Sequence, residues 1–464
     1  MTDVCVYGAT AAGVAAAVGA REAGADVVLV EPGEHVGGMV SAGLSWTDVG
    51  DVRVLGGFAR RFYAAVAEHY GAALWQLKGP EPHVAEAIFR MLLDGIDVER
   101  DVVDAAVYVD ATYEGDLMAG MSVPFAVGRE PRDLYAERWA GRQPAYRPGR
   151  HNFPVSISPF RDDGSLLPHV REPELDERGW PAERLGEGDG GLQAFGFRVC
   201  LTDRDPIPFE QPDGYDPAQF ELLERYLAAV PGGETLGLVR DLLPNGKCDV
   251  NSIGPFSLSV LDGSNRDWLH GDRSAVFAHH LQYTQSLLHF LSPAGWGLCG
   301  DEFVDTGGWP HRLYVRDARR MVGAYVLRES DLLEARPKFD VVALGSYNID
   351  IREVERTWRM LPEYVATPAV FNEGYLSIAV PPYPIPYRSL TPRREDADNL
   401  LVPVCLSASH VAFGSLRMEP TLMLLGHAAG IAAAQAARRG VAVQDVDVAE
   451  LQDDLRDQGQ VLSL

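Results

Sequence analysis

The sequence predicts an α/β fold: a domain around a central parallel sheet, interrupted by an inserted α+β domain. Three observations carry that prediction. An apolar, β-branched run at Thr2–Tyr7 leads into Gly8-Ala9-Thr10-Ala11-Ala12-Gly13, an Ala-rich stretch to Ala23, and a second apolar run, Val27–Val30, closed by Glu31. A later strand-like run, Ala106–Val109, ends in Asp110-Ala111-Thr112. Near the C-terminus the apolar run Asn399–Leu406 precedes an Ala/Leu-rich helical stretch, Pro420–Arg438.

The opening unit reads as a Rossmann-like βαβ with a dinucleotide site. A strand must turn sharply at Gly8, and the following helix must pack closely at Gly13, so the free N–H groups of its first turn face a pyrophosphate. The candidate contacts are Gly8, Ala9, Thr10, Ala11, Ala12 and Gly13. Glu31, followed by Pro32, stands at the end of the second strand, where a carboxylate accepts from both ribose hydroxyls and disfavours a 2′-phosphate. Thr10 departs from the usual pattern, which has a glycine at that position.

Gly37-Gly38-Met39 follows on a short loop, and Gly56-Gly57 precedes a helical stretch at Phe58–Tyr70. His83–Leu93 reads as a helix with Val84, Ala87, Ile88, Met91 and Leu92 on one stripe. Residues 131–190 are rich in Pro, Gly, Arg and Asp, which predicts an ordered cover or arm around a site. Leu192–Thr202 predicts a strand, with Phe197, Val199 and Leu201 on one face and Arg198, Cys200 and Thr202 on the other. Pro217–Val230, Asp272–Leu291 and Val315–Arg328 predict helices. The expected division is residues 1–130 and 395–464 as the cofactor domain, with 131–394 inserted as the substrate or cover domain.

Composition narrows the function. With 41 basic and 66 acidic residues the formal charge is −25, which repels nucleic acid and anionic lipid. No run of about 18 apolar residues suggests a membrane span. The first strand starts at residue 2 or 3, so no leader is expected and a cytoplasmic location is. The five cysteines are scattered without a C-x-x-C pair, against a disulfide framework or metal cluster.

Four segments together resemble the flavin-dependent oxidoreductases of the glutathione-reductase-like class, and most of all the bacterial group called FAD-dependent oxidoreductase. They are Gly8–Gly13 with Glu31; the Gly37-Gly38 doublet; Tyr108 through Asp116, similar to an Ala-Thr-Gly element with Tyr113 in place of the glycine; and Asn399–Pro403 through Ser407-Ala408-Ser409-His410 to Arg417-Met418-Glu419-Pro420. The resemblance covers most of the chain. It implies FAD as cofactor, with Gly37, Gly38, Met39, Asp110, Ala111, Thr112, Ser409, Arg417, Met418 and Glu419 at the flavin nucleotide. One feature differs: relatives carry a longer excursion between Leu93 and Ala106, which lines the adenine.

A flavin enzyme needs a base near the flavin and a positive end by the pyrimidine. His410 is the first candidate base, with flavin contact or a structural role as its alternatives, and His311 in Trp309–Tyr314 is the second. Arg198, Tyr314, Asn348, Tyr387 and Arg388 are candidate substrate contacts, and the segment with Tyr383, Tyr387 and Arg388 reads as a cavity wall, with a catalytic tyrosine as the alternative. Arg316, Arg319 and Arg320 would share one helix face, either clamping an anion or forming ion pairs on a solvated surface. The adjacent pairs His279-His280 and Asp301-Glu302 point apart on regular elements, so no metal site is expected. His35 is a loop histidine or, less simply, a covalent flavin attachment point.

The leading reading is oxidation or desaturation of a polar small molecule, with oxygen or a soluble acceptor taking the electrons and a homo-oligomer possible. A flavin-dependent isomerase, an NAD-dependent dehydrogenase and a non-catalytic dinucleotide-binding protein stand as alternatives. Only one glycine-rich mononucleotide unit is present, which disfavours a second, nicotinamide-binding domain.

Overall fold

The βαβ unit closes where its residues require. In the computed structural model, which describes residues 2–46, 48–76, 79–144, 151–252, 254–361 and 367–464, β1 (Thr2–Tyr7) leads into α1 (Ala11–Glu22) and β2 (Val27–Val30). Helices α2 (Gly57–His69) and α3 (Pro82–Leu92) follow, then β3 (Asp97–Glu99) and β4 (Ala105–Asp110). The sheet is wholly parallel, in the order Leu400–Leu401, β4, β1, β2, β3. The short segment after α3 therefore still supplies an edge strand, whose three residues are all exposed.

The C-terminal helix, Glu419–Arg439, lies against α1. Its small residues set the distance: a Cβ at Gly426 would meet the Ala12 carbonyl oxygen at 2.1 Å, and one at Gly430 the Ala16 oxygen at 2.0 Å. The helix thus packs the C-terminal part of the chain on α1, and its first residue, Glu419, meets Tyr113 just beyond β4.

The central part of the chain is made of short antiparallel pieces. Cys200–Thr202 lies between Gly297–Leu298 and Lys247–Asp249, Val341–Gly345 pairs with Tyr383–Pro386, and Glu355–Leu361 pairs with Thr367–Glu373. Residues 131–190, of which 145–150 lie outside the described residues, hold one short helix, Arg132–Tyr135. This irregular stretch is tied down by Arg129, which is buried and donates to Asp189 at 2.5–2.9 Å and to Glu373 at 2.8–2.9 Å.

Three predicted elements differ. Val315–Arg328 is not a helix: Arg319–Met321 is a strand paired antiparallel with Phe125–Val127, a long-range pairing that overrides local helix propensity. Leu192–Thr202 is regular strand only over Cys200–Thr202, and both of its predicted faces are buried because the chain is covered on two sides. Asn399–Leu406 is strand only at Leu400–Leu401, since Pro403 cannot donate to a ladder. Among the described residues no helix is long and apolar enough to cross a membrane.

Candidate active site

Gly8 has φ +96°, and a Cβ on Gly13 would meet the Gly8 oxygen at 1.9 Å, so neither position admits a side chain. Thr10, standing where a glycine is usual, does not block the cradle. Its hydroxyl turns inward, donating to the Ala111 carbonyl at 2.8 Å and accepting from the Gly13 amide at 3.1 Å as the helix N-cap. Ala11 and Ala12 form the first turn of α1 and are buried. The buried Glu31 accepts from the Ala9 and Gly33 amides at 3.0 and 2.9 Å, and a guanidinium nitrogen of Arg312 lies 3.6 Å away. Pro32 is exposed beside it.

The glycine doublet is locked to this loop. The Gly37 amide donates to the Ala9 oxygen at 2.7 Å, and a Cβ on Gly38 would meet the Tyr113 hydroxyl at 2.4 Å. The Tyr113 hydroxyl accepts from the Met39 amide at 3.0 Å and donates to Glu419 Oε1 at 2.7 Å. Glu419, with Pro420, opens the C-terminal helix after Met418, its N-cap. Burial raises the Glu419 carboxyl to about 7, and its Oε2 has no hydrogen-bond partner among the described residues.

A strand–glycine turn–helix unit with a buried carboxylate after its second strand, a second glycine turn and a helix N-terminus are thus bonded into one assembly. A family model, FAD dependent oxidoreductase, matches residues 3–100 and 94–455. The chain belongs to that family.

A search of curated proteins finds no match. Among solved structures the chain is similar to THI4 of Thermovibrio ammonificans, at 15% identity over 28% of this chain and 66% of that one, with a TM-score of 0.21. It is also similar to OxyS anhydrotetracycline hydroxylase of Streptomyces rimosus, at 13% identity over 28% and 36% with a TM-score of 0.19. An FAD-bound form of OTEMO matches at 13% identity over 41% and 32%, with a TM-score of 0.17. The chain therefore spans less than two thirds of each of these proteins.

FAD, the cofactor of the family, fits these residues. The cradle closed to side chains at Gly13 and Gly38, the α1 N-terminus and the Glu31 carboxylate are the kinds of group that hold an adenine dinucleotide, and Glu419 Oε2 is a buried acceptor without a partner among the described residues. Asp110, Ala111 and Thr112 hold the loop instead of reaching outward. Asp110 accepts from the Thr112 amide and hydroxyl at 3.0 and 2.6 Å and from the Met118 amide at 2.8 Å, while burial raises its carboxyl to about 6. Ser409 caps the His410–Leu416 helix and donates to Glu137 at 2.5 Å, so its hydroxyl is also committed.

Two cavities meet at Tyr314 and Arg417. One is lined by Leu44, Trp46, Asp48, Tyr63 and the Met418–Pro420 turn. The other is lined by Met39, Tyr113, Arg316, Asp317, Val404 and Phe413. Arg417 donates to the Tyr314 hydroxyl at 2.9 Å and to the Asp350 carbonyl at 2.8 Å, with its carboxylate 3.4 Å away.

His410 is buried one step behind this wall. Its Nδ1 lies 3.2 Å from Asp317 Oδ2, near enough for an ion pair although off the hydrogen-bond direction, and its amide donates to Glu130 at 2.9 Å. Burial works to raise the Asp317 carboxyl, but His410 and Arg320 outweigh it and hold it below the usual range. Asp317, like Asp48, escapes sequence reasoning because a lone aspartate carries no motif.

The other predicted residues lie elsewhere. His311 stacks on His35 at 3.7 Å, and its chain neighbour Arg312 reaches Glu31, so it stands near Glu31 and lines neither cavity. Burial, then the charges of His35 and Arg312, lower the His311 imidazole to about 3. His35 itself is held by Glu86 and Asp305, each at 3.0 Å. Arg198 makes a two-pronged pair with Asp249 at 2.7 Å, Tyr387 donates to the Val443 carbonyl at 2.8 Å, and Tyr383 bonds Ser415 at 2.6 Å. Arg388 stacks on Tyr325 and Phe339, and Asn348 is exposed between the strands Val341–Gly345 and Ile349–Ile351, and neither lines the two cavities.

The three arginines do not share a helix face. Arg319 reaches Asp116 at 3.0 Å, Arg320 is fully buried on Glu130 at 2.7 Å, and Arg316 lies on the Tyr314 ring. His279 pairs with Asp262 while His280 is buried apart from it. Asp301 and Glu302, expected to diverge, instead converge with Glu81 on Lys247 at 2.6–2.8 Å, because they sit on a loop and not on a regular element. The ammonium is thus the cation at the centre of that acidic group, which His83 joins through Glu302.

Proposed function

We propose that this oxidoreductase oxidises or desaturates a polar small molecule held at Tyr314 and Arg417, and that oxygen or a soluble acceptor takes the electrons. Residues 131–394 bring Tyr314, Arg316 and Asp317 to the substrate, while residues 1–130 with 395–464 hold the cofactor and add Arg417. The junction of the two cavities at the Tyr314–Arg417 contact, beside Met39 and the Met418–Pro420 turn, is the observation that supports this reading. When bound, FAD supplies the two-electron acceptance.

The residues divide the remaining work. Gly8–Gly13, Glu31, Gly37-Gly38-Met39 and the Glu419 turn hold the dinucleotide. Arg417 and Tyr314 orient the substrate's polar group. Asp317, which lines the cavity with Oδ1 unpartnered and is kept ionised by His410 and Arg320, accepts the hydrogen bond of the substrate's O–H or N–H and relays its proton towards His410 at 3.2 Å. This gives His410 its role through Asp317 and removes His311 from the chemistry, since His311 stands beside the ribose carboxylate.

The test is anaerobic mixing of FAD-loaded protein with polyols, amino acids and hydroxy acids, read as loss of the visible flavin absorbance. Bleaching by at least one compound, abolished in Arg417→Met, is expected. Conversion of a compound without any bleaching would overturn the reading in favour of chemistry with no net oxidation.

A further inference from the structure

Arg316 is a buried cation without an acid. Its guanidinium lies 4.2 Å from the centre of the Tyr314 ring, donates to the Ala194 carbonyl, and lines the cavity that also holds Asp317 and Arg417. The surrounding arginines are matched: Arg198 with Asp249, Arg352 with Glu353, Arg417 with Asp350, Arg319 with Asp116 and Arg320 with Glu130. Arg316 alone of these six has no ion pair among the described residues. It is only 8% exposed and lines that cavity.

Such a placement is costly unless an anion completes it. Burial, and then the guanidiniums of Arg352, Arg417 and Arg198, push the Arg316 pKa down to about 9 against the opposing pull of Tyr314. The planar fork of a guanidinium matches a carboxylate with two parallel hydrogen bonds. The stack on Tyr314 fixes the plane of that fork, and Tyr314 is itself held by Arg417.

We propose that Arg316, beside Arg417, binds a carboxylate of the substrate, so that the molecule oxidised is a small organic acid. This rests on the reading of the Tyr314–Arg417 cavities as the substrate site. It also assigns the geometry of the reaction: the acid group docks on Arg316 and the reacting C–H lies on the side of the neighbouring Asp317.

The probe is benzoate, with benzamide as its uncharged counterpart, titrated into FAD-loaded protein and followed by the shift of the visible flavin band. Benzoate is expected to bind at least about tenfold more tightly than benzamide, which corresponds to about 1.4 kcal/mol. Arg316→Met removes that preference and leaves benzamide binding unchanged. Arg316→Lys keeps the charge without the fork and retains part of the preference, which separates loss of binding from loss of folding. The flavin midpoint potential is expected to be the same in all three proteins.

Equal binding of benzoate and benzamide, or a benzoate preference that survives Arg316→Met, would overturn the assignment. So would an altered potential in Arg316→Met with benzoate binding intact, which gives Arg316 to the flavin. Reduction of the flavin by a neutral polyol without any benzoate preference sinks the carboxylate site alone. A benzoate preference in a protein that no small molecule reduces keeps the carboxylate site and sinks the wider reading.

Discussion

Tyr113 donates to Glu419 at 2.7 Å, joining the end of β4 to the first turn of the C-terminal helix, residues far apart in the chain. The same hydroxyl receives the Met39 amide at 3.0 Å, so one phenol fixes the glycine doublet and the helix N-terminus relative to each other. Tyr113 stands where relatives are expected to carry a glycine, and it converts a flexible turn into a buried strut.

Tyr113→Phe leaves the Met39 amide and a Glu419 oxygen without partners. A cost of about 1–3 kcal/mol is expected from buried groups left unsatisfied. Urea unfolding measures the loss of stability, and equilibrium dialysis against FAD measures the accompanying weakening of cofactor binding.

Thr10→Ala tests whether the threonine acts as a cap and not as a ligand. Losing the bond from the Gly13 amide removes an N-cap, worth about 1 kcal/mol. Stability should fall by that amount while FAD affinity stays unchanged. A large loss of FAD with unchanged stability would make Thr10 a direct contact.

Glu137 and Glu419 are both raised to about 7, chiefly by burial. Their folded states bind a proton more tightly than the unfolded chain, whose glutamates titrate near 4.3. Their contribution is therefore complete below about pH 4.3 and is lost as pH rises through about 7. Asp110, raised to about 6, adds to the same slope. Glu137→Gln keeps an acceptor for Ser409 and should remove about 2–3 kcal/mol of the difference between mildly acidic and alkaline unfolding curves.

Asp317→Asn keeps the shape of the cavity but not the base. Anaerobic rapid mixing should show flavin reduction slowed by about 10²–10⁴-fold with FAD content unchanged. His410→Gln should slow the same step by less and alter its pH profile, as a group acting through Asp317 would.

Lys247→Met removes the ammonium shared by Glu81, Asp301 and Glu302. With two of those carboxylates buried, a loss of about 3–5 kcal/mol is expected in thermal or urea unfolding.

The cofactor half of the molecule was legible because its constraints are local. Gly8, Gly13, Gly37 and Gly38 mark backbone positions that no side chain can take, and β1, α1 and β2 follow one another in the chain. The substrate half was not, because long-range pairing decides it. The run from Val315 to Arg328 has good helix formers, yet pairing with Phe125–Val127 makes Arg319–Met321 a strand. The Asp317–His410 and Arg417–Tyr314 contacts join residues roughly 100 apart, and neither partner has a spacing that announces the other. Asp301 and Glu302 would point apart on a regular element, but a loop turns both towards Lys247.

The most direct test of the account is the visible spectrum of the purified protein before and after acid precipitation. A yellow protein whose flavin bands pass entirely into the supernatant as FAD is predicted, because every proposed contact is non-covalent and His35 is occupied by Glu86 and Asp305. Colour retained in the pellet, or a colourless protein that takes up no added FAD, would contradict it.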